Sequence, residues 1–348
     1  MNVLLCGKSN NHALGASYRR AFETTGQKVV TVDTTKRSEY LDYYLRNKFL
    51  RYVTEDTFKL RKMGSKKWRE YIKEKGKKSN VAFTFIIDVD FIFPETIKAL
   101  RDVGAGPVFI FNSDSPLETS RSSKPEHILA AEECDLYFSF SHSLSSKLRK
   151  HGVNNVKYVP FGWDPFLFPK LGPVRKNDIK HEVVFIGSWD KQREKWLTPV
   201  AKNFDLKIWG HSYWKRAKKR SPVWRCWQGN TRLGRRAAKT IAESKVSINL
   251  LRQQNLPDGT NMRTFEIPGS GGFMASMNSS ASKAIFPSSH AATYFACKEE
   301  MVSSIKYYLR NNHERRKIKE NASRISKNET YEERALTIID EYKNYIQK

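Results

Sequence analysis

The chain has 348 residues, of which 39% are hydrophobic and 12% aromatic; this is enough apolar material for two domains of roughly 150 residues and excludes a disordered chain. Lys and Arg number 62 against 36 Asp and Glu, a net charge of +26, so polyanions (nucleic acid, anionic lipid headgroups or acidic glycans) are the natural partners. No apolar run approaches the roughly 20 residues that span a bilayer. Cys6, Cys134, Cys226 and Cys297 form no CxxC pair, which argues against a disulfide framework or zinc site and suits a reducing cytoplasm.

In chain order, Val3–Cys6 reads as a first strand rather than a signal peptide, ending in the polar loop Gly7–Gly15. A helix over Ala16–Thr24 follows, then a strand over Val29–Val32. A basic segment, Lys59–Lys78, reads as helical. It carries Lys62, Lys66, Lys67, Arg69 and Lys73 with Trp68 and Tyr71 among them. Val81–Asp88 and Pro107–Phe111 read as buried parallel strands around a helix near Pro94–Val103, and Asp135–Phe140 and Val156–Val159 as two more. Pro165–Lys180 reads as a linker. The alternation then resumes with strands at Val183–Ile186, Leu206–Trp209 and Val246–Leu251, and a further strand opening at Gly272–Met274. The chain closes on a lysine-rich helical stretch, Glu299–Lys348. Two doubly wound α/β domains are predicted: 1–165 and 181–325, with 326–348 as a helix packing back on the first.

The strongest local pattern is the strand ending in Gly187-Ser188, followed by a helix with Arg193 in its first turn. Glycine admits a phosphate to the backbone, the helix N-terminus offers free N–H groups, and Arg193 can grip a diphosphate bidentately. A plain tight turn with a surface arginine reads equally well. In Asn261-Met-Arg-Thr-Phe-Glu266, Arg263 suits a leaving diphosphate and Glu266 the ribose hydroxyls, or the two form a buried ion pair. A second basic cluster, including Arg216 and Lys219, interleaves with Trp214, Trp224 and Trp227, and suits phosphates plus stacking, or is a solvated face over buried tryptophans. His12 and His211 are sugar-contact candidates or structural groups. The Gly7 loop lacks both GxxxxGK[ST] and GxGxxG, which disfavours ATP or NAD. No His–carboxylate spacing marks a metal site.

These motifs, with Leu206-Lys-Ile-Trp-Gly210, Asn112-Ser-Asp-Ser-Pro116, Asp135-Leu-Tyr-Phe-Ser139 and Tyr158-Val-Pro-Phe-Gly-Trp-Asp-Pro165, closely resemble the CgeB-like branch of GT-B glycosyltransferases from about Val81 to Tyr308. The resemblance implies two Rossmann-like domains facing a central cleft and a nucleotide-sugar donor, UDP-sugar first, held by the second. It gives the diphosphate to Arg193 and Arg263 and the ribose to Glu266, with the base against backbone near Gln228–Thr231; Gly187, Ser188, Gly210, His211 and Asn261 are further donor-site candidates. It leaves room for Mg²⁺ or Mn²⁺ on the diphosphate. The layout is also similar to that of phage DNA β-glucosyltransferase. There the aspartate matching Asp114 is the general base; a helix N-cap or turn residue in Asn-Ser-Asp-Ser-Pro, or substrate binding without catalysis, reads equally well. The retaining branch carries a second glutamate ahead of the ribose-binding one, whereas here only Asp258 is acidic, so the stereochemical outcome is open.

Hydroxymethylated DNA is the leading acceptor, with Lys62, Lys66, Lys67, Arg69, Lys73, Arg216 and Lys219 on its phosphates. A peripheral envelope or spore-coat glycan enzyme docking an anionic membrane face is the alternative, and a DNA-binding protein on an inactive GT-B scaffold the third. The expected location is the cytoplasm (the host's if the source is viral) or the inner membrane face.

Overall fold

The computed structural model describes residues 1–47, 58–78, 80–117, 124–172, 176–217 and 220–347. They form two compact units: Met1–Pro160 with Tyr331–Lys348, and Phe161–Thr330.

The first unit contains six parallel strands: β1 (Asn2–Gly7), β2 (Lys28–Asp33), β3 (Phe83–Ile86), β4 (Val108–Phe111), β5 (Leu136–Ser139) and β6 (Val156–Tyr158), in the spatial order β2-β1-β3-β4-β5-β6. β3, β4 and β5 are buried at every residue, as short aromatic and β-branched runs are when helices cover both faces of a parallel sheet. Tyr18, on the helix Leu14–Thr24, meets Phe85 edge-on with ring centroids 5.2 Å apart and lies 5.1 Å from Tyr331. Tyr331 opens the C-terminal helix Tyr331–Ile346, whose Tyr342 packs on Phe83 and Phe109. Tyr345 Oη closes that helix onto the sheet by donating to Asp135 Oδ1 at 2.9 Å.

The second unit contains five parallel strands: β7 (His181–Ile186), β8 (Leu206–Trp209), β9 (Ser244–Asn249), β10 (Met274–Met277) and β11 (Thr293–Phe295), in the order β11-β10-β9-β7-β8. Register is direct, with Val183 opposite Leu206 on one side and Val246 on the other. The segment beginning at Phe161 is tied into this unit: Trp163 N–H donates to Glu329 O at 2.7 Å, and its indole N–H to Phe168 O at 2.8 Å. Gly269 has no room for a side chain, since a Cβ there would stand 2.5 Å from the Trp163 ring.

The basic segment forms two helices, Phe58–Gly64 and Lys66–Lys77, split at Ser65. Trp68 is fully buried beneath them and stacks with Tyr71, which itself stacks on Tyr40 at 4.2 Å. An amphipathic helix with a basic outer face puts its tryptophan inward, so Trp68 is not presented for stacking on a base or sugar. Trp214 is likewise fully buried. No helix among the described residues is long and apolar enough to cross a membrane.

Candidate functional site

In the second sheet β7 lies between β8 and β9, so the chain reverses its direction of growth there. Crevices at the carboxyl ends of such strands are where open α/β sheets gather ligands. The carboxyl ends in question are Gly187-Ser188 after β7 and the segment from Asn249 after β9. Gly187 N–H donates to Trp209 O at 3.0 Å, and Trp214 Nε1 donates to Gly187 O at 2.9 Å. Gly210 is the tightest position: a Cβ there would lie 2.1 Å from Gly187 O and 2.3 Å from Trp214 Nε1. Gly210 N–H donates to Gly229 O at 3.1 Å, Trp227 Nε1 to Gly210 O at 3.0 Å, and Gln228 N–H to Ile208 O at 2.8 Å. Backbone packing thus accounts for Gly210 and for the Gln228 main chain. The Gln228 side chain is exposed and donates to Cys226 O; His211 is exposed with Ser212 Oγ at 3.2 Å.

Arg193 and Arg263 converge on this crevice. Asp190 caps the helix Lys191–Asn203, accepting from Arg193 N–H at 2.7 Å. The Arg193 guanidinium then donates to Ser188 O at 3.0 Å and Leu250 O at 3.4 Å, bridging the carboxyl ends of β7 and β9. From the helix Met262–Gly269, Arg263 Nε donates to Ile186 O at 3.1 Å, and its Nη1 pairs with Glu266 one turn on. Burial pushes Arg193 down to about 10, with Asp190 opposing the shift and Arg252 adding to it. Burial and then the charge of Arg193 push Arg263 down to about 10 as well. Asp190 Oδ2 lies 3.5 Å from Arg193 Nε, so each guanidinium has one carboxylate beside it and backbone carbonyls on its other N–H groups. Asn261 serves the helix instead of the crevice. Its Oδ1 caps Met262–Gly269, accepting from Thr264 N–H at 3.0 Å, while its Nδ2 donates to Asn249 Oδ1 at 2.9 Å.

The first sheet repeats the reversal at β1, between β2 and β3. Its carboxyl ends hold a network that the sequence reading missed. Thr34 Oγ1 donates to Asp88 Oδ2 at 2.8 Å, and Arg37 reaches both Asp88 and Asp90 at 3.2 Å. His127 Nε2 lies 3.0 Å from Asp90. Beside it Arg61 and Glu126 form a fully buried ion pair, with Arg61 over the Phe91 ring at 4.0 Å. Phe91 itself has φ 60°, a strained conformation for an aromatic residue. Asp114 lies three residues past the end of β4 at Phe111, and Asn112 Oδ1 accepts from its N–H at 3.1 Å in an Asx turn. His12 is exposed in the Gly7 loop.

Of the basic candidates, Lys62 pairs with Glu95, Lys73 and Arg69 each lie 3.9 Å from Glu70, and Lys66 and Lys67 are exposed. Arg216 is exposed over the Tyr213 ring at 4.7 Å, and Lys219 lies outside the described residues. Among the described residues no group of three or more His, Cys, Asp or Glu is arranged to hold a metal.

Two parallel sheets flanked by helices, each with a ligand crevice at a strand-order reversal, define the class: this is a GT-B glycosyltransferase fold. Comparison with known proteins carries the point further. Residues 191–340 match the family described as glycosyl transferase-like. A sucrose-phosphate synthase from Thermosynechococcus elongatus superposes with TM-score 0.68 at 11% identity, covering 100% of this chain and 99% of that one. HepE from Anabaena, in complex with UDP and glucose, gives 0.64 at 12% identity over 98% of each chain. An alpha-glucosyltransferase in complex with UDP-glucose and DNA containing an abasic site gives 0.59 at 11% identity over 95% and 96%. No curated protein sequence matches. The fold is thus that of GT-B glycosyltransferases, and the glycosyl transferase-like match covers residues 191–340 of the chain.

Proposed function

We propose that the protein transfers a hexosyl group from a UDP-sugar to a hydroxyl acceptor, with hydroxymethylated bases of DNA as that acceptor. The observation that carries the donor half is the convergence of Arg193 and Arg263 on the β7 and β9 carboxyl ends, both pushed down to about 10 by burial. When the bond from the anomeric carbon to the β-phosphate oxygen breaks, charge grows on the departing diphosphate, and two guanidiniums are the groups to meet it. Gly187 and Ser188 would border the diphosphate. Glu266, which already orients Arg263, is assigned the ribose hydroxyls, and the backbone at Gln228 the base. Asp114 would take the proton from the acceptor hydroxyl. Mg²⁺ or Mn²⁺ could ride on the diphosphate without a dedicated carboxylate cluster. The DNA half is supported by the net charge of +26, the exposed Lys66 and Lys67, and a fold neighbour solved with UDP-glucose and DNA.

The test is donor turnover with UDP-, GDP- and dTDP-sugars, with and without duplexes containing 5-hydroxymethylcytosine or 5-hydroxymethyluracil, read by mass spectrometry of the nucleosides. A gain of one hexose, lost in Asp114→Ala and Arg263→Ala, is the expected result. Donor hydrolysis with unlabelled DNA would move the acceptor to a glycan or lipid at an anionic membrane face. Neither binding nor turnover of any donor would sink the proposal and leave an inactive DNA-binding scaffold.

A further inference from the structure

The second unit holds a cavity of about 960 Å³ that the donor chemistry does not use. It lies at the opposite edge of the sheet from the arginine pair. Ile179 precedes β7, Ser244 and Lys245 begin β9, and Ser270-Gly271 lead into β10, so these wall residues mark the amino ends of the strands. The far wall is one face of the helix Asn312–Ser326, where Arg315, Lys319 and Ser323 recur every fourth residue.

The lining is strongly cationic: Lys170, Lys245, Arg315, Arg316 and Lys319 against the single carboxylate of Glu320. Arg315 is buried and held in place, donating to Tyr308 O and to Asn312 Oδ1 at 2.7 Å. Lys170, Lys245, Arg316 and Lys319 have no ion-pair partner among the described residues. Burial, then the charges of Arg315 and Arg316, push the Lys319 ammonium down to about 8.

We propose that this cavity is a second anion site, built for the phosphoryl group of a small organic phosphate such as a sugar phosphate or mononucleotide. A phosphoryl group brings several acceptor oxygens and close to two negative charges, which would relieve the repulsion among Lys319, Arg315 and Arg316. Leu171, Ile179 and Leu309 give the rest of such a molecule an apolar wall. The volume falls in the range of small-molecule pockets, roughly 300–1,000 Å³, and a concave chamber suits a compact ligand better than the convex, repeating phosphates of a duplex. Occupancy at the amino ends of β9 and β10 would bear on the same strands whose carboxyl ends carry the donor crevice, an effector's position rather than a substrate's.

Calorimetric titration of the full chain with inorganic phosphate, pyrophosphate and glucose 6-phosphate, each with and without UDP, tests this. Binding of at least one probe is expected to persist with UDP present and in Arg263→Ala, which separates this site from the donor site whether or not the donor assignment holds. Lys319→Gln should weaken that binding about tenfold, the loss of one charge-assisted hydrogen bond, and Lys319→Arg should restore it. Arg316→Gln is the second variant: an arginine that only faces solvent would leave affinity untouched, whereas a ligand contact should cost it severalfold. No probe binding at millimolar concentration, or binding lost in Arg263→Ala and kept in Lys319→Gln, overturns the proposal. So does a duplex oligonucleotide that displaces the probe and itself weakens in Lys319→Gln, which would assign the cluster to DNA.

Discussion

The two sheets place their first strand identically, β1 between β2 and β3, and β7 between β8 and β9, yet their crevices carry opposite chemistry. At the carboxyl ends of the first sheet Asp88 and Asp90 are answered by Thr34, Arg37 and His127, and Arg61 by Glu126. At those of the second, Arg193 leans on backbone carbonyls with Asp190 3.5 Å away, Arg263 on one carbonyl and Glu266, and burial pushes both toward losing charge. Topology fixes where a ligand can sit. Whether the place is ready for an anion or already closed on itself is decided by which side chains arrive there.

That contrast can be broken most directly at one arginine from each sheet, the buried Arg61 and the half-buried Arg193. Arg61→Ala leaves the Glu126 carboxylate buried without its partner, and removing one member of a buried pair costs about 3–5 kcal/mol. The urea midpoint should fall accordingly, with turnover of the protein that remains folded little changed. Arg193→Ala should do the reverse. Losing one preorganised charge donor costs about 10²–10³ in kcat, while the urea midpoint moves far less than in Arg61→Ala. Equal loss of stability in the two variants, with normal kcat in both, would mean that the crevices do not differ in kind.

The fold was legible because buried parallel strands are short apolar runs: Leu206–Trp209 is a strand to the residue, and Phe83–Ile86 and Val108–Phe111 fall inside the runs Val81–Asp88 and Pro107–Phe111. The tryptophans were harder to read. A basic amphipathic helix has one composition whether Trp68 faces a ligand or the core, and only the packing of Tyr40 and Tyr71 around it decides. The network at Asp88 and Asp90 was invisible, because Arg37, Asp90 and His127 lie far apart in sequence and share no spacing rule. Asn261 did carry a signal that was passed over: Asn-x-x-Thr is a capping pair, and the structure shows both of its reciprocal hydrogen bonds.

A pH titration sharpens the comparison at intermediate scale. Burial opposes ionisation of Asp90, but the hydrogen bond from His127 and the charges of Arg37, His127 and Arg61 outweigh it and hold the carboxyl below the usual carboxylate range. A carboxyl depressed on folding stabilises fully above its unfolded pKa, about 3.9, and that contribution disappears as the pH falls below it. Wild type should therefore lose stability below about pH 4 more steeply than Asp90→Asn, measured by urea denaturation across about pH 2.5–6. Parallel curves for the two proteins would show that the Asp90 network does not depend on the charge of that carboxylate.

The smallest expected effect lies on the surface of the first unit. Lys62 is engaged by Glu95 and Lys73 sits near Glu70, but Lys66 and Lys67 are exposed at the start of the helix Lys66–Lys77, whose first turn contains no acid. Replacing both with Gln removes charge without touching the core, so stability should shift by no more than about 0.5 kcal/mol. If duplex DNA meets this helix, each lysine releases about one counterion. The slope of log K against log salt should then shrink by about two in the double variant, at every sequence tested alike. An unchanged slope would detach this face from the acceptor while leaving the arginine crevice of the second unit as it stands, because the two claims share no residue.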